Sequence, residues 1–180
     1  MKSPLPLAIV TQMHRQAFEW NQCNDRRSIF LECYSMMTEN MLRALEADRF
    51  HDRDWADRLL HLFADYYFVA LQAYEQDPAS APAVWRHAHE TSCTRKLHVL
   101  QHLFLGINAH INYDLVLTLT DMLSPEWEQL SPEHRQRRYE DHCLVNAVIA
   151  ETIDDVQDFV VERHSPIMDL FDRLLGRLDE

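Results

Sequence analysis

Glycine occurs only twice in this chain of 180 residues, at Gly106 and Gly176. Tight hairpin turns draw on glycine, or on asparagine and aspartate, at positive φ, so a chain this poor in glycine has little from which to build a sheet. The seven prolines stand near apparent element boundaries, and no sustained period-two alternation bounded by turn residues occurs. The expected fold is therefore all-α: a single domain over residues 1–180, built as a bundle of six or seven helices around a central apolar helix.

Local signals place the helices. The first is expected over roughly 7–20 behind Pro6, the second over 26–47, and the third over 53–76 with Asp52 or Asp54 as N-cap. Asp77-Pro78 stops the third, and residues 77–82 read as a loop. A helical pattern resumes at Pro82 and runs to about Leu123, with a break near Ser92 or a bend at Gly106. Ser124-Pro125 and Ser131-Pro132 each pair an N-cap residue with proline at the first helical position. The second of these opens a helix to about residue 163, and Ser165-Pro166 opens a short last one.

Hydrophobic residues make up 47% of the chain, ample for one core. The formal net charge is −12 and no basic run exceeds Arg135-Gln136-Arg137-Arg138, so neither nucleic acid nor an anionic membrane surface is an expected partner. No apolar run reaches membrane-spanning length, and the apolar N-terminal run is too short for a secretory leader. Cys23, Cys33, Cys93 and Cys143 form no C-x-x-C pair and fall in helical patterns, which points to reduced thiols in a cytoplasmic protein. A glycine-rich phosphate loop, G-x-S-x-G and H-E-x-x-H are all missing, and no glutamate stands three residues before a histidine. Nucleotide hydrolysis, α/β-hydrolase, zincin and di-iron bundle chemistry are thereby disfavoured.

What remains is the stretch 97–120, whose one charged residue is Asp114. Steps of 100° place Leu100, Leu103, Phe104, Ile107, Ile111 and Leu115 on one side, with Asp114 inside that arc and His110 at its edge. A buried carboxylate without compensation is costly, so Asp114 needs a partner, and His110 at i−4 is the nearest. The four-step series His98, His102, Gly106, His110, Asp114 drifts by about 40° per step on a straight helix, which separates His98 from Asp114 and leaves His102 at the mouth of any site. Gly106 costs about 1 kcal/mol relative to alanine, so it is expected to permit close approach, a bend or ligand access. Asn108 and Asn112 lie on another side and are expected to bond a neighbouring helix. In the C-terminal helix Val145, Ile149, Ile153, Val156 and Val160 define the inner side, with His142 and Asn146 on or beside it. In the first helix Val10, Met13, Ala17 and Phe18 form the apolar face, with His14 embedded in it.

The segment LGINAHINYDL (105–115) resembles the signature of an uncharacterised bacterial all-helical family of unknown function. That resemblance implies the helical fold and weight on His110 and Asp114, but no reaction. The H-x3-D element is also similar to metal-ligand pairs in all-α zinc hydrolases of the phospholipase C and P1-nuclease type, but this chain lacks their extra histidines at recognisable spacings and their N-terminal tryptophan ligand. His51-Asp52 is similar to the dipeptide of HD phosphohydrolases, but its place at a helix start makes N-capping the expected role.

Residues four apart share a helix face and can ligate one ion. The leading expectation is a metal-dependent hydrolase of a small or ester-type substrate. His110, Asp114 and His142 would hold one divalent ion, zinc by ligand type, with His110 and Asp114 catalytic. Asn146 or His102 would position water, and Gly106 would give substrate access. The alternative is a non-catalytic helical module that binds a small molecule or a partner, with His110 and Asp114 as a structural network. A third reading is metal-free acid–base catalysis by that pair.

Overall fold

The computed structural model describes residues 5–94 and 97–164, and no strand occurs among them. Seven α-helices follow in order: α1 (Leu5–Gln22), α2 (Arg27–Glu46), α3 (Arg53–Gln76), α4 (Ala83–Ser92), α5 (Val99–Ala109), α6 (Leu115–Leu123) and α7 (Pro132–His164). A five-residue π-helical segment, His110–Asp114, joins α5 to α6 without a turn. The two halves make one rod, so the described part is an all-α domain of six rods. The short helix expected after Ser165-Pro166 lies outside the described residues.

The boundaries have local causes. Asp52 caps α3 by accepting from Trp55 N at 3.0 Å. Ser131 Oγ accepts from His134 N at 3.3 Å at the start of α7. His98 heads α5 with a capping box: its Nδ1 accepts from Leu100 N, and Gln101 Oε1 accepts from His98 N at 2.8 Å. Ser124-Pro125 opens no α-helix, only a turn and the 3-10 segment Trp127–Gln129. With glycine so scarce, the left-handed residues that end α1 and α2 are Asn24 (φ 54°) and Asp48 (φ 55°), from the residue types that best tolerate that region.

Packing centres on α2, which α1, α3, α5 and α7 all contact. Met13, Leu31, Tyr67 and Trp85 anchor one part of the core; Trp55, Met41 and Val148 anchor a second. No described helix is long and apolar enough to cross a membrane, and all four cysteines are free thiols.

Three expected helix faces hold only in part. In α1, Val10, Met13 and Ala17 point inward as expected, joined by Ile9 and Trp20, whereas Phe18 is exposed. His14 stands outside the core and pairs with Glu39 Oε1 at 3.1 Å. In α5 and the π segment the buried residues are Val99, His102, Leu103, Gly106, Ala109, His110 and Asp114, while Phe104 and Ile111 are exposed. A helix that is apolar all round has no amphipathic direction to follow, and the small residues Gly106 and Ala109 decide which side comes closest to α2. In α7 the deepest residues are Asp141, Val148, Thr152 and Val156: Val156 is on the expected line, Val148 and Thr152 stand one position before Ile149 and Ile153, and Val160 lies outside the described side chains. Val145 and Ile149 flank these buried residues, and Ile153 is exposed.

Candidate functional site

Asp114 is fully buried, and its side chain is held from two directions. Trp85 Nε1, on α4, lies 3.0 Å from both carboxylate oxygens. His110 Nδ1 lies 2.8 Å from Oδ2. An indole N–H only donates and a carboxylate only accepts, so the proton of neutral His110 sits on Nδ1 and the lone pair on Nε2. The relay Trp85–Asp114–His110 thus fixes one tautomer of one histidine, as a ligating or catalytic imidazole is fixed by the group behind it.

The imidazole is also fixed by packing. Phe63 of α3 stacks on it at 3.7 Å between centroids and 8° between planes, and Tyr34 of α2 meets it edge-on at 4.3 Å. Phe30 and Tyr67 close the cage further out. Burial pushes the His110 pKa below its ordinary 6.5, with the Asp114 carboxylate opposing that shift. The ring is neutral at physiological pH.

The π segment explains why these groups share a side. π-turns occur inside α-helices disproportionately at functional sites, and this one spans His110 to Asp114. Its wider turn absorbs part of the drift expected of the four-step series. His102, Gly106, His110, Asp114 and Thr118 are accordingly all buried. Thr118 Oγ1 donates to the Asp114 carbonyl at 2.7 Å, supporting the backbone there.

Gly106 serves the close approach of α5 to α2. A Cβ at this position would stand 2.5 Å from Phe30 Cγ and Cδ2 and 2.7 Å from its Cβ, closer than side-chain carbons pack.

Beside His110 lies a cavity of about 120 Å³ bounded by α2, α3, the π segment with the start of α6, and α7. Its wall is mostly aliphatic and aromatic, including Met37, Met41, Leu59 and Phe63, with Tyr34, Thr38, His110, His142 and Asn146 as its polar groups. Two of these bring a buried polar atom with no hydrogen-bond partner, His110 Nε2 and His142 Nδ1, while the buried Tyr34 Oη meets only the Thr38 hydroxyl. Burial raises the Tyr34 phenol well above 10, and the Asp114 carboxylate adds to the effect, so Tyr34 keeps its proton as a donor.

The site residues expected from sequence thus divide. His110, His142 and Asn146 line one cavity, with Asn146 at its exposed rim. Asp114 lies behind His110 and is not part of that wall. Its oxygens accept from Trp85 and His110. Among the described residues, no three His, Cys, Asp or Glu side chains gather closely enough to hold a metal ion.

His102 lies elsewhere. It lines a separate void of about 20 Å³ with Gly106, His89 and Arg26, and Arg26 Nη1 approaches its Nε2 at 3.3 Å. Asn108 and Asn112 do not reach a neighbouring helix: Asn112 Nδ2 donates to Asn108 Oδ1 at 2.8 Å on the exposed surface.

Sequence reasoning missed Trp85 and Tyr34. A core tryptophan needs an acceptor for its N–H, so a chain with one charged residue in its most apolar helix offered that pairing. Nothing in the sequence marks Tyr34, whose role depends on the packing of α2 against the π segment.

No curated protein and no solved structure matches this chain. The model of a family of unknown function, DUF5995, matches residues 7–180, and the chain belongs to that family.

Proposed function

We propose that this protein binds a small, largely apolar molecule in the cavity beside His110, with one polar group of the ligand held by Nε2. The observation that carries the reading is the pair of unpartnered buried polar atoms, His110 Nε2 and His142 Nδ1, on residues of one apolar wall that also holds the buried Tyr34 hydroxyl. Each buried polar atom without a partner costs about 1–3 kcal/mol, and native folds leave few of them. A ligand that meets them recovers that cost, and apolar walls with a few placed polar groups are the usual make-up of such sites. Because His110 presents a lone pair, the preferred ligand brings a donor. A cytoplasmic setting is part of this reading, since the four free thiols fit a reducing compartment.

The metal-dependent hydrolase is less well supported. Asp114 is engaged by Trp85 and His110 and does not line the cavity that His110 and His142 share.

Phenol and toluene, which differ by one O–H donor, test the proposal. At millimolar concentration phenol should raise Tm more than toluene does, and His110→Phe should erase the difference. If neither compound raises Tm, the binding reading is wrong. A chelator-sensitive rise in Tm with zinc, lost in His142→Gln, would return the site to the hydrolase reading.

A further inference from the structure

An unpartnered base and a buried hydroxyl acid on the wall of one apolar cavity are the requirements for moving a proton next to a carbonyl group. We infer that the cavity enolises a small apolar carbonyl compound: His110 Nε2 takes a proton from the carbon beside the carbonyl, and the Tyr34 hydroxyl donates to the carbonyl oxygen. The inference rests on the reading of the cavity as a ligand site and names the substrate class for it.

In the step, the C–H bond breaks and an N–H bond forms at Nε2. The C–H electron pair becomes the new C=C bond, and the carbonyl π pair moves onto oxygen as an enolate that accepts from Tyr34. Returning the proton to the same carbon, or to a conjugated one, completes exchange or double-bond migration. Nothing is oxidised or reduced, and no co-reactant is needed.

The chain's own geometry supports each part. The lone pair of His110 is placed on Nε2 because Nδ1 is committed to Asp114 at 2.8 Å. That same carboxylate faces the imidazolium as it forms, the arrangement that orients a general base and stabilises its charged form. The Tyr34 and His110 rings touch at 4.3 Å between centroids, and Tyr34 Oη is buried with the Thr38 hydroxyl beside it. A neutral donor in a dry site, aimed at developing oxyanion charge, contributes more there than in water. The other titratable groups around the imidazole are Tyr67 of α3 and, across the cavity, His142 of α7.

The test is hydrogen–deuterium exchange of the α-protons of cyclohexanone in D2O, followed by proton NMR with the full chain. Wild type should accelerate exchange over buffer. His110→Gln should lose about 10²-fold or more of that acceleration, and Tyr34→Phe, a change that removes one oxygen and keeps the packing, about 10²-fold. The rate should hold level from pH 8 to below 6.5 and fall only at lower pH, where His110 takes a proton.

Exchange no faster than with His110→Gln overturns the inference. So does an unchanged rate in Tyr34→Phe, or a larger loss in His142→Gln than in Tyr34→Phe. If cyclohexanone raises Tm through His110 but does not exchange, binding stands and enolisation falls. If cyclohexanone, phenol and toluene all leave Tm unchanged, both fall.

Discussion

Asp114 shows how one buried charge can organise its surroundings. A carboxylate inside a core needs donors, and here an indole and an imidazole supply them from a neighbouring helix and from its own turn. Asp114→Ala would leave Trp85 Nε1 and His110 Nδ1 buried without acceptors, each costing about 1–3 kcal/mol. The expected loss of unfolding free energy in urea is therefore about 2–6 kcal/mol. Asp114→Asn keeps one acceptor oxygen and should lose less. Because both donors converge on one group, Trp85→Phe and Asp114→Ala should be non-additive, with a coupling of about 0.5–3 kcal/mol in a double-mutant cycle. Additive losses would mean that the relay is not an energetic unit.

Between elements, the decisive contacts are short and specific. Gly106→Ala would gain about 1 kcal/mol of helix propensity. Against this, its Cβ meets Phe30 at 2.5 Å, and overpacking of that kind costs about 1–3 kcal/mol. A net loss is expected, and because Phe30 forms part of the His110 cage, phenol binding should weaken with it. Gly106→Ala in a Phe30→Leu background should lose less than in the wild type; an equal loss would place the strain elsewhere.

Asp141 does comparable work between α7 and the loop after α2. It is fully buried and accepts from the backbone of His51 at 2.7 Å and Asp52 at 2.9 Å. Asp141→Ala leaves both N–H groups without that acceptor, at about 1–3 kcal/mol each, and should loosen the start of α3, read as faster amide exchange at Trp55 and its neighbours. Arg138, the last residue of the basic run, pairs nearby with Asp52 at 2.6 Å and with Glu126 at 2.9 Å.

These contacts mark the limit of what the sequence carries. Helix existence was legible because caps and prolines are local, as Asp52 and Ser131 show. The His110–Asp114 pairing was legible because four residues separate the two on one helix. The buried side of α5 was not, since apolar residues surround the helix and a glycine chose the side. Asp141 was hidden among charged neighbours, although its spacing to Val148 and Thr152 follows a helix face.

At the scale of the whole molecule, buried neutral histidines tie stability to pH. Burial is the first cause that lowers His89, His102 and His110. For His89 the shift reaches about 4, with the Arg27 charge adding to it. A histidine whose pKa is lower in the folded state binds fewer protons than the unfolded chain does once pH drops below about 6.5. Its contribution is thus complete above pH 6.5 and is lost as pH falls from 6.5 toward the folded value. For His89 that window runs from 6.5 to about 4 and amounts to on the order of 3 kcal/mol, at 1.36 kcal/mol per pKa unit. That is a large share of the roughly 5–15 kcal/mol that hold a domain together. The urea midpoint should fall steeply between pH 6.5 and 4. His89→Gln, which cannot titrate, should flatten that slope, while the same change at the exposed His87 should leave it as it was. A slope unaffected by His89→Gln would move the acid sensitivity to His110 and His102. In that case phenol, by occupying Nε2 of His110, should itself protect the fold at low pH.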